Sequence, residues 1–143
     1  MIGNALGLPF EDSSFQAVVN VESSGSYPDW EKFFREVFRV LTPGGSFCYA
    51  DNARLPGTVE DTSVKLTDLG FILRTQSDIT KNVALALKLG AEDLKDFFSN
   101  MVRKGTAKEE LVAEMYRLLR TVVYREYSNR VRVYWSMHLS KPD

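Results

Sequence analysis

Three short apolar runs in the sequence are each followed directly by polar side chains that could bind a ligand. The polar residues are Asn20 to Ser23 after the first run, Asp51 and Asn52 after the second, and Gln76 to Thr80 after the third. If the runs are parallel strands, their carboxyl ends meet at one edge of a sheet, which is where open α/β sheets bind ligands. Polar turns follow the strands of any fold, so this pattern alone predicts an α/β domain and no specific activity.

The composition excludes several other classes of site and partner. The chain has 143 residues, a formal net charge of −1, one cysteine and one histidine. These two residues cannot form an internal disulfide or a structural zinc site, so we predict no metal site. Near-neutral charge argues against a nucleic-acid-binding domain, which is usually strongly basic. Because the sequence has no apolar segment of about 18 residues and no secretory signal, we expect no transmembrane segment and a cytoplasmic protein.

The single cysteine and the single histidine are not predicted to be catalytic. Cys48 falls inside an apolar run, where we expect a small residue of the buried core. His138 lies in a segment that alternates apolar and polar residues, on the polar face of the predicted strand. The residue types alone therefore leave the catalytic residues unknown.

The first half of the chain predicts a strand, a helix and a second strand. The runs Phe15 to Val21 and Ser46 to Ala50 have the length and composition of buried strands. Between them, Asp29 is a predicted N-cap, and apolar residues recur with helical spacing from Trp30 to Leu41. The segment Thr42-Pro-Gly-Gly45 should end that helix, because proline cannot continue it and glycine can adopt a left-handed conformation. This succession predicts a parallel, right-handed crossover unit.

The second half predicts further helices and two further strands. A short helix from about Asp61 to Leu69 precedes a third strand, Phe71 to Thr75. Residues 81–127 are helical in pattern, and the final segment, Val131 to Leu139, alternates as a half-buried strand does. The length fits one domain, so residues 1–143 are predicted to form a single α/β domain.

Motifs along essentially the whole chain carry a family resemblance. They are Gly3 to Phe15, Val18 to Ser23, Phe34 to Leu41, Thr42 to Gly45, Glu22-Ser-Ser before Tyr27-Pro28, and Asp78 to Val83. Together they resemble the second half of a class I S-adenosylmethionine-dependent methyltransferase of the type 11 group. Within that group they are similar to the small-molecule and lipid branch that includes the phthiotriol dimycocerosate methyltransferases.

The resemblance implies a partial Rossmann-like methyltransferase sheet with helices on its faces. The family sheet has the strand order 3-2-1-4-5-7-6, and this chain would supply strands 4-5-7-6, the last of them antiparallel. Residues 81–127 would form a helical, lid-like insertion before the last strand. The first family strand and its glycine-rich loop, which binds the methionine part of the cofactor, have no counterpart in the 143 residues.

The resemblance also implies two groups of site residues. Those carried over to the cofactor S-adenosylmethionine are Asn4, Ala5, Leu6, Asn20, Val21 and Glu22. Asn4 stands where the family usually has an aspartate that accepts a hydrogen bond from the adenine amino group, and an amide oxygen can still accept it. Those carried over to the methyl acceptor are Tyr27, Asp51, Asp78, Thr80 and Asn82. Related enzymes often have a histidine near the position of Gly25, so a hydroxyl acceptor would lack an obvious general base here.

The leading hypothesis is therefore an S-adenosylmethionine-dependent methyltransferase that acts on an apolar small molecule or lipid. Because the chain resembles a C-terminal portion without the glycine-rich loop, we expect it to be inactive alone. A second hypothesis is a non-catalytic interaction module that self-associates, or pairs with a partner, through the exposed sheet edge at residues 15–21. A third is a truncated gene product with no independent function.

Overall fold

The structure, a computed structural model, describes residues 3–54 and 59–143. They form two compact units, one of residues 3–54, 59–78 and 134–143 and one of residues 79–133, and each is considered by itself. In the first unit the elements are β1 (Phe15–Val21), α1 (Trp30–Val40), β2 (Leu41–Arg54), α2 (Val59–Asp68), β3 (Ile72–Asp78) and most of β4 (Arg132–Ser140).

The four strands form one mixed sheet in the order β1-β2-β4-β3. Strands β1 and β2 run parallel, with Val18 opposite Phe47. Strands β3 and β4 run antiparallel, with Leu73 opposite Leu139. This order is the predicted family order 4-5-7-6 with an antiparallel last strand, so the predicted fold class is confirmed.

Helix α1 packs against one face of this sheet and forms the core with it. The Asp29 carboxylate accepts a hydrogen bond from the Lys32 backbone N–H at 2.9 Å, which is the predicted N-cap. The Phe34 ring lies 6.0 Å from the ring of Phe47 and 5.5 Å from that of Tyr49, centroid to centroid. The helix residues with buried side chains are Phe33, Phe34, Val37 and Val40. The predicted apolar stripe is therefore the contact between helix and sheet.

Strand β2 is longer than the predicted segment Ser46 to Ala50. Helix α1 ends at Val40, and Leu41 is already extended and pairs with Phe15. The next pair is Ala17 with Ser46, so the predicted turn residues form a bulge inside the strand. Gly44 has a left-handed φ of +70°, and a Cβ on Gly45 would lie 2.7 Å from the carbonyl oxygen of Thr42. Both glycines are therefore required by the backbone path.

The other face of β1 and β2 is not covered by the described residues. Val19 and Val21 are 68% and 60% exposed, and Cys48, the register partner of Val19, is also exposed. The predictions that Phe15 to Val21 is a buried strand and that Cys48 is a core residue are therefore wrong. The physical reason is that α1 packs on one face only, and side chains alternate between the two faces of a strand.

The second unit consists of helices. They are α3 (Thr80–Leu89), α4 (Ala91–Arg103), α5 (Glu109–Arg117), a π-helical segment (Leu118–Val123) and α6 (Tyr124–Ser128). Part of the predicted helical segment 81–127 is thus π-helical, which the apolar spacing does not reveal. No helix in the described part of the chain is long and apolar enough to cross a membrane.

Candidate functional site

The carboxyl end of β1 carries an unusual backbone conformation. Glu22 has a φ of +51°, which is rare and costly for a residue with a side chain. The conformation is held by a hydrogen bond from the Glu22 N–H to the carbonyl oxygen of Ala50, at 2.9 Å. The Glu22 carboxylate also accepts from the side-chain amide of Asn52 at 3.2 Å. The carboxyl ends of β1 and β2, which were predicted to meet, are therefore connected by hydrogen bonds.

Asn20 leaves an acceptor without a partner at this strand end. Its side chain is 6% exposed and its amide nitrogen donates to the hydroxyl of Ser23. The amide oxygen, Oδ1, is buried and has no hydrogen-bond partner. A buried acceptor of this kind is costly unless a bound molecule donates to it.

The N-terminal segment that contains Asn4, Ala5 and Leu6 is a turn tied to α1. The Asn4 side-chain oxygen accepts from the backbone N–H of Leu6 at 3.0 Å. Arg39 of α1 donates to the carbonyl oxygens of Leu8 and Phe10, at 3.1 and 2.8 Å. An arginine on the core helix therefore fixes the path of the segment that follows the predicted adenine-binding turn.

A cavity of about 380 Å³ opens beyond the carboxyl ends of β1 and β2, inside the first unit. This is the position at which an open α/β sheet binds ligands, and the volume is in the range of small-molecule sites. Its lining residues are mainly aromatic or polar. They are Ser24, Gly25, Tyr27, Trp30, Phe34, Tyr49, Asp51, Asn52, Ala53, Thr62, Lys65, Trp135 and Met137.

Three of the lining side chains, those of Ser24, Tyr49 and Asp51, form a hydrogen-bond network. The Ser24 hydroxyl donates to the Asp51 carboxylate at 2.6 Å and lies 2.9 Å from the Tyr49 hydroxyl, which can donate to it. The Asn52 backbone N–H also donates to Asp51, at 2.8 Å. Burial raises the pKa of Tyr49 to about 12, and the negative charge of Asp51 adds to this effect, whereas the Ser24 hydrogen bond lowers it. Tyr49 is therefore a neutral hydrogen-bond donor at physiological pH.

The raised pKa of Tyr49 predicts a loss of stability in strong alkali. A phenol with a pKa of about 12 in the folded state and about 10 in the unfolded state contributes stability below pH 10. That contribution is lost as the pH rises from about 10 to 12, up to about 3 kcal/mol. Urea unfolding measured between pH 8 and 12 should therefore show a steeper fall for the natural chain than for Tyr49→Phe. Because the other tyrosines are common to both chains, parallel curves would contradict the prediction.

Two residues that the sequence did not predict, Lys65 and Trp135, also line the cavity. The Lys65 ammonium lies 4.2 Å from the ring centroid of Trp30 and forms no ion pair with the residues that the structure describes. The indole nitrogen of Trp135 is buried and has no hydrogen-bond partner. In the sequence, Lys65 is one more charged residue of a helix and Trp135 one more apolar residue of an alternating strand. No local signal could have identified either.

The structure brings together some of the predicted acceptor residues. Tyr27 and Asp51 line the cavity. Asp78 is the last residue of β3, opposite Trp135 of β4. Thr80, which is buried, and Asn82, which is exposed, belong to the second unit, and their role toward an acceptor stays a prediction.

His138 is half-buried on the predicted polar face of β4. Its Nε2 atom lies 3.1 Å from the hydroxyl oxygen of Ser46. Ser46 is the register partner of Ala17, on the face of the sheet that α1 does not cover. His138 is therefore a structural hydrogen-bonding residue outside the cavity. Within residues 3–54 and 59–143, no three histidine, cysteine or carboxylate side chains are grouped to hold a metal ion.

Comparison with known proteins relates the first third of the chain to one family. Residues 1–49 match the family model described as a methyltransferase domain. Over 49 residues, the chain is 57% identical to the phthiotriol/phenolphthiotriol dimycocerosates methyltransferase of Mycobacterium tuberculosis. The matched segment covers 34% of this chain and 18% of that protein. The chain is also 34% identical over 131 residues to the fatty-acid O-methyltransferase of Mycolicibacterium smegmatis. This second match covers 87% of this chain and 47% of that protein. The chain thus spans less than half the length of these relatives.

Solved structures extend the likeness of the fold to nearly all of the chain. Geranyl diphosphate C-methyltransferase from Streptomyces coelicolor superimposes with a TM-score of 0.72 at 16% identity, over 99% of this chain and 52% of that one. Phosphoethanolamine N-methyltransferase 2 of Haemonchus contortus gives 0.82 at 16% identity, over 98% and 36%. Residues 1–49 are therefore part of a methyltransferase domain, and nearly all of the chain has the fold of the C-terminal part of methyltransferase structures.

Proposed function

We propose that the cavity beyond β1 and β2 is the acceptor site of a methyltransferase that acts on an apolar small molecule or lipid. The observation that carries the proposal is the position of this aromatic-walled cavity at the strand ends of a methyltransferase fold. The names of the two sequence relatives describe methylation of dimycocerosates and of fatty acids, which agrees with an apolar acceptor.

The residues predicted to hold the cofactor are proposed to contact one side of S-adenosylmethionine. Asn4, Ala5 and Leu6 would contact the adenine base, since the Asn4 oxygen keeps a second lone pair beside its bond to Leu6. Asn20, Val21 and Glu22 would lie beside the methyl donor, and the unpartnered oxygen of Asn20 could accept from the cofactor. The side of the cofactor that a glycine-rich loop binds has no counterpart in the sequence.

The chemistry of the proposed reaction is mainly a matter of alignment. When bound, the cofactor supplies an electrophilic methyl group on a sulfonium. The cavity residues of this chain would hold the acceptor atom in line with it and exclude water, which is a large part of the rate gain in such displacements. Tyr27 and Asp51 are the predicted acceptor residues that line the cavity, and their proposed role is to orient the acceptor.

We infer that the 143 residues are inactive alone and active when the cofactor-binding part is supplied. A chimera would test this, with the N-terminal part of the Mycolicibacterium smegmatis relative placed before residue 1 of this chain. Incubated with S-adenosylmethionine and a set of apolar acids and alcohols, the chimera should give methylated products detectable by mass spectrometry. Each half alone, as a control, should give none. Micromolar binding of S-adenosylmethionine by the isolated chain in calorimetric titration would refute the inactivity claim, and a chimera that binds the cofactor without methylating any acceptor would refute the acceptor site.

A second candidate function, binding of another polypeptide chain through β1, is supported by the uncovered sheet face. The side chains of Val19 and Val21 are 68% and 60% exposed on an edge strand, which is the geometry that pairs with another chain. We propose that the partner is a polypeptide equivalent to the N-terminal part of the relatives, because the chain covers 47% of the fatty-acid O-methyltransferase. Self-association through residues 15–21 is the competing outcome.

A further inference from the structure

We propose that the exposed face of helix α3 docks on a lipid bilayer whose surface carries anionic phospholipids. This face consists of Lys81, Leu85, Lys88 and Leu89, all of which are exposed. None of the four residues lines the cavity beyond β1 and β2. The inference therefore goes beyond the proposed function, because it assigns a partner to the second unit whether or not the chain transfers a methyl group.

Helix α3 has one face that packs within the second unit and one that does not. The helix contacts α6 of the same unit. The residues with buried or half-buried side chains recur at offsets of 0, 3, 4 and 7, and they are Thr80, Val83, Ala84 and Leu87. The residues of the exposed face recur at offsets of 0, 4, 7 and 8, which is also one side of a helix. The leucines of the exposed face are therefore additional to the residues that hold α3 in place.

The two leucines of the exposed face form a contiguous apolar surface. Leu85 and Leu89 are 54% and 72% exposed. Because they are four residues apart in one helix, their side chains are neighbours. A single exposed leucine is ordinary, whereas adjacent apolar side chains indicate a surface that gains free energy when it is removed from water.

The two lysines of the exposed face have no negatively charged partner among the residues that the structure describes. Neither Lys81 nor Lys88 forms an ion pair with them, and the ten residues of α3 include no acidic residue. Lys81 also lies in the first turn of the helix, where the positive end of the helix dipole disfavours a cation. The stability of α3 therefore does not account for this lysine, whereas an external negative charge would.

The charge of the whole unit has the sign that an anionic surface attracts. Residues 79–133 carry a net charge of +4, and the rest of the chain carries −5. Positive charge and exposed leucines thus belong to the same unit. A lysine held near an anionic bilayer improves affinity about fivefold, and burial of the leucines adds to this gain.

The combination of leucine and lysine fits a bilayer better than it fits other anionic partners. A nucleic acid would bind the lysines through its phosphates and leave the leucines in water. The cores of protein interfaces are depleted in lysine, which is costly to remove from water. At a bilayer surface, leucine side chains enter the acyl boundary while the long lysine side chains reach the charged headgroups. Only the bilayer therefore uses both residue types of this face.

The length of α3 fits a helix that lies in the plane of the bilayer surface. Ten residues form a helix about 15 Å long, which is half of the roughly 30 Å needed to cross the hydrocarbon core. Such a helix binds reversibly through its apolar and charged residues together. We therefore expect a weak, reversible attachment that is sensitive to lipid charge.

Co-sedimentation of the 143-residue chain with lipid vesicles tests the inference without any methyl transfer. Vesicles of phosphatidylcholine with about one third phosphatidylserine should bind the chain. Vesicles of phosphatidylcholine alone should bind it at least about tenfold more weakly, because they lack the surface charge. High salt should reduce this difference, since it screens charges at the surface.

Two double substitutions on α3 separate the charged from the apolar contribution. Lys81→Gln with Lys88→Gln should weaken binding to the anionic vesicles about 30-fold at low salt, because two contributions of about fivefold are lost. Leu85→Ala with Leu89→Ala preserves the helix, since alanine is the best helix former, and should weaken binding at least about tenfold at low and high salt alike.

A matched control distinguishes the exposed face of α3 from the net charge of the chain. Lys104 and Lys108 are exposed residues of the second unit outside α3. Lys104→Gln with Lys108→Gln therefore removes the same charge as the lysine variant of α3. Its affinity for the anionic vesicles should stay within about threefold of the natural chain. Equal losses in the two lysine variants would overturn the inference.

The remaining outcomes separate this inference from its rivals and from the proposed function. No binding to anionic vesicles, or equal binding to neutral ones, would overturn it. A chain that sediments as an oligomer, and that Leu85→Ala with Leu89→Ala converts to a monomer, would also overturn it, because a second copy would then cover the leucines. Vesicle binding that depends on α3, in a chain whose chimera methylates nothing, would leave the docking surface standing and refute only the proposed function.

Discussion

Replacing Phe34 with alanine should lower the free energy of unfolding of the sheet-containing unit by about 3–5 kcal/mol. The Phe34 side chain is 1% exposed, and its ring contacts those of Phe47 and Tyr49 on the sheet and Trp30 and Phe33 on its own helix. The helix covers only one face of the sheet, so these contacts have no substitute in a second layer. A loss of this size is a large part of the 5–15 kcal/mol that keeps a typical domain folded.

Urea unfolding followed by tryptophan fluorescence measures this loss, since both tryptophans lie in the first unit. The matched control is Phe97→Ala, because the Phe97 side chain is 58% exposed on α4. That variant should change the unfolding free energy by less than about 1 kcal/mol. Equal effects of the two substitutions would show that Phe34 is not the centre of the helix-to-sheet contact.

The sequence predicted the parts of the fold that local patterns determine. The spacing of the apolar residues from Trp30 to Leu41 and the capping carboxylate of Asp29 located α1 nearly to the residue. The valine-rich run and the run after Gly45 predicted two parallel strands, and the family resemblance supplied their order in the sheet. These features were predictable because they depend on residues close together in the chain.

Features that depend on distant residues were not predictable. Cys48 is exposed because of what α1 leaves uncovered, and the residues around Cys48 look the same whether or not a second layer is present. Lys65 and Trp135 are 70 positions apart in the sequence numbering, and they become members of one cavity only through the placement of α2 and β4. Tyr27 and Asp51, which also line that cavity, were predicted as acceptor residues through the family resemblance, and that role stays a prediction.

The double substitution Val19→Lys with Val21→Lys should weaken binding of a complementing N-terminal polypeptide by at least about 100-fold. Full burial of a valine side chain contributes about 1.5 kcal/mol or more, and each 1.4 kcal/mol is a factor of ten in affinity. Both residues are exposed on the uncovered face of β1, and lysine there would also place charge in the interface. The partner to use is the separately expressed N-terminal part of the Mycolicibacterium smegmatis relative, and sedimentation measures the complex.

A matched double substitution distinguishes the edge strand from any exposed apolar surface. Leu85 and Leu89 are 54% and 72% exposed on α3, so Leu85→Lys with Leu89→Lys removes comparable apolar surface from the second unit. Binding of the partner should survive this change. If the natural chain instead sediments as a dimer that Val19→Lys with Val21→Lys converts to a monomer, β1 pairs with a second copy and the complementation proposal is refuted. A natural chain that stays monomeric and does not bind the N-terminal polypeptide would refute both complementation and self-association. The exposed apolar residues of β1 would then need no second chain to cover them.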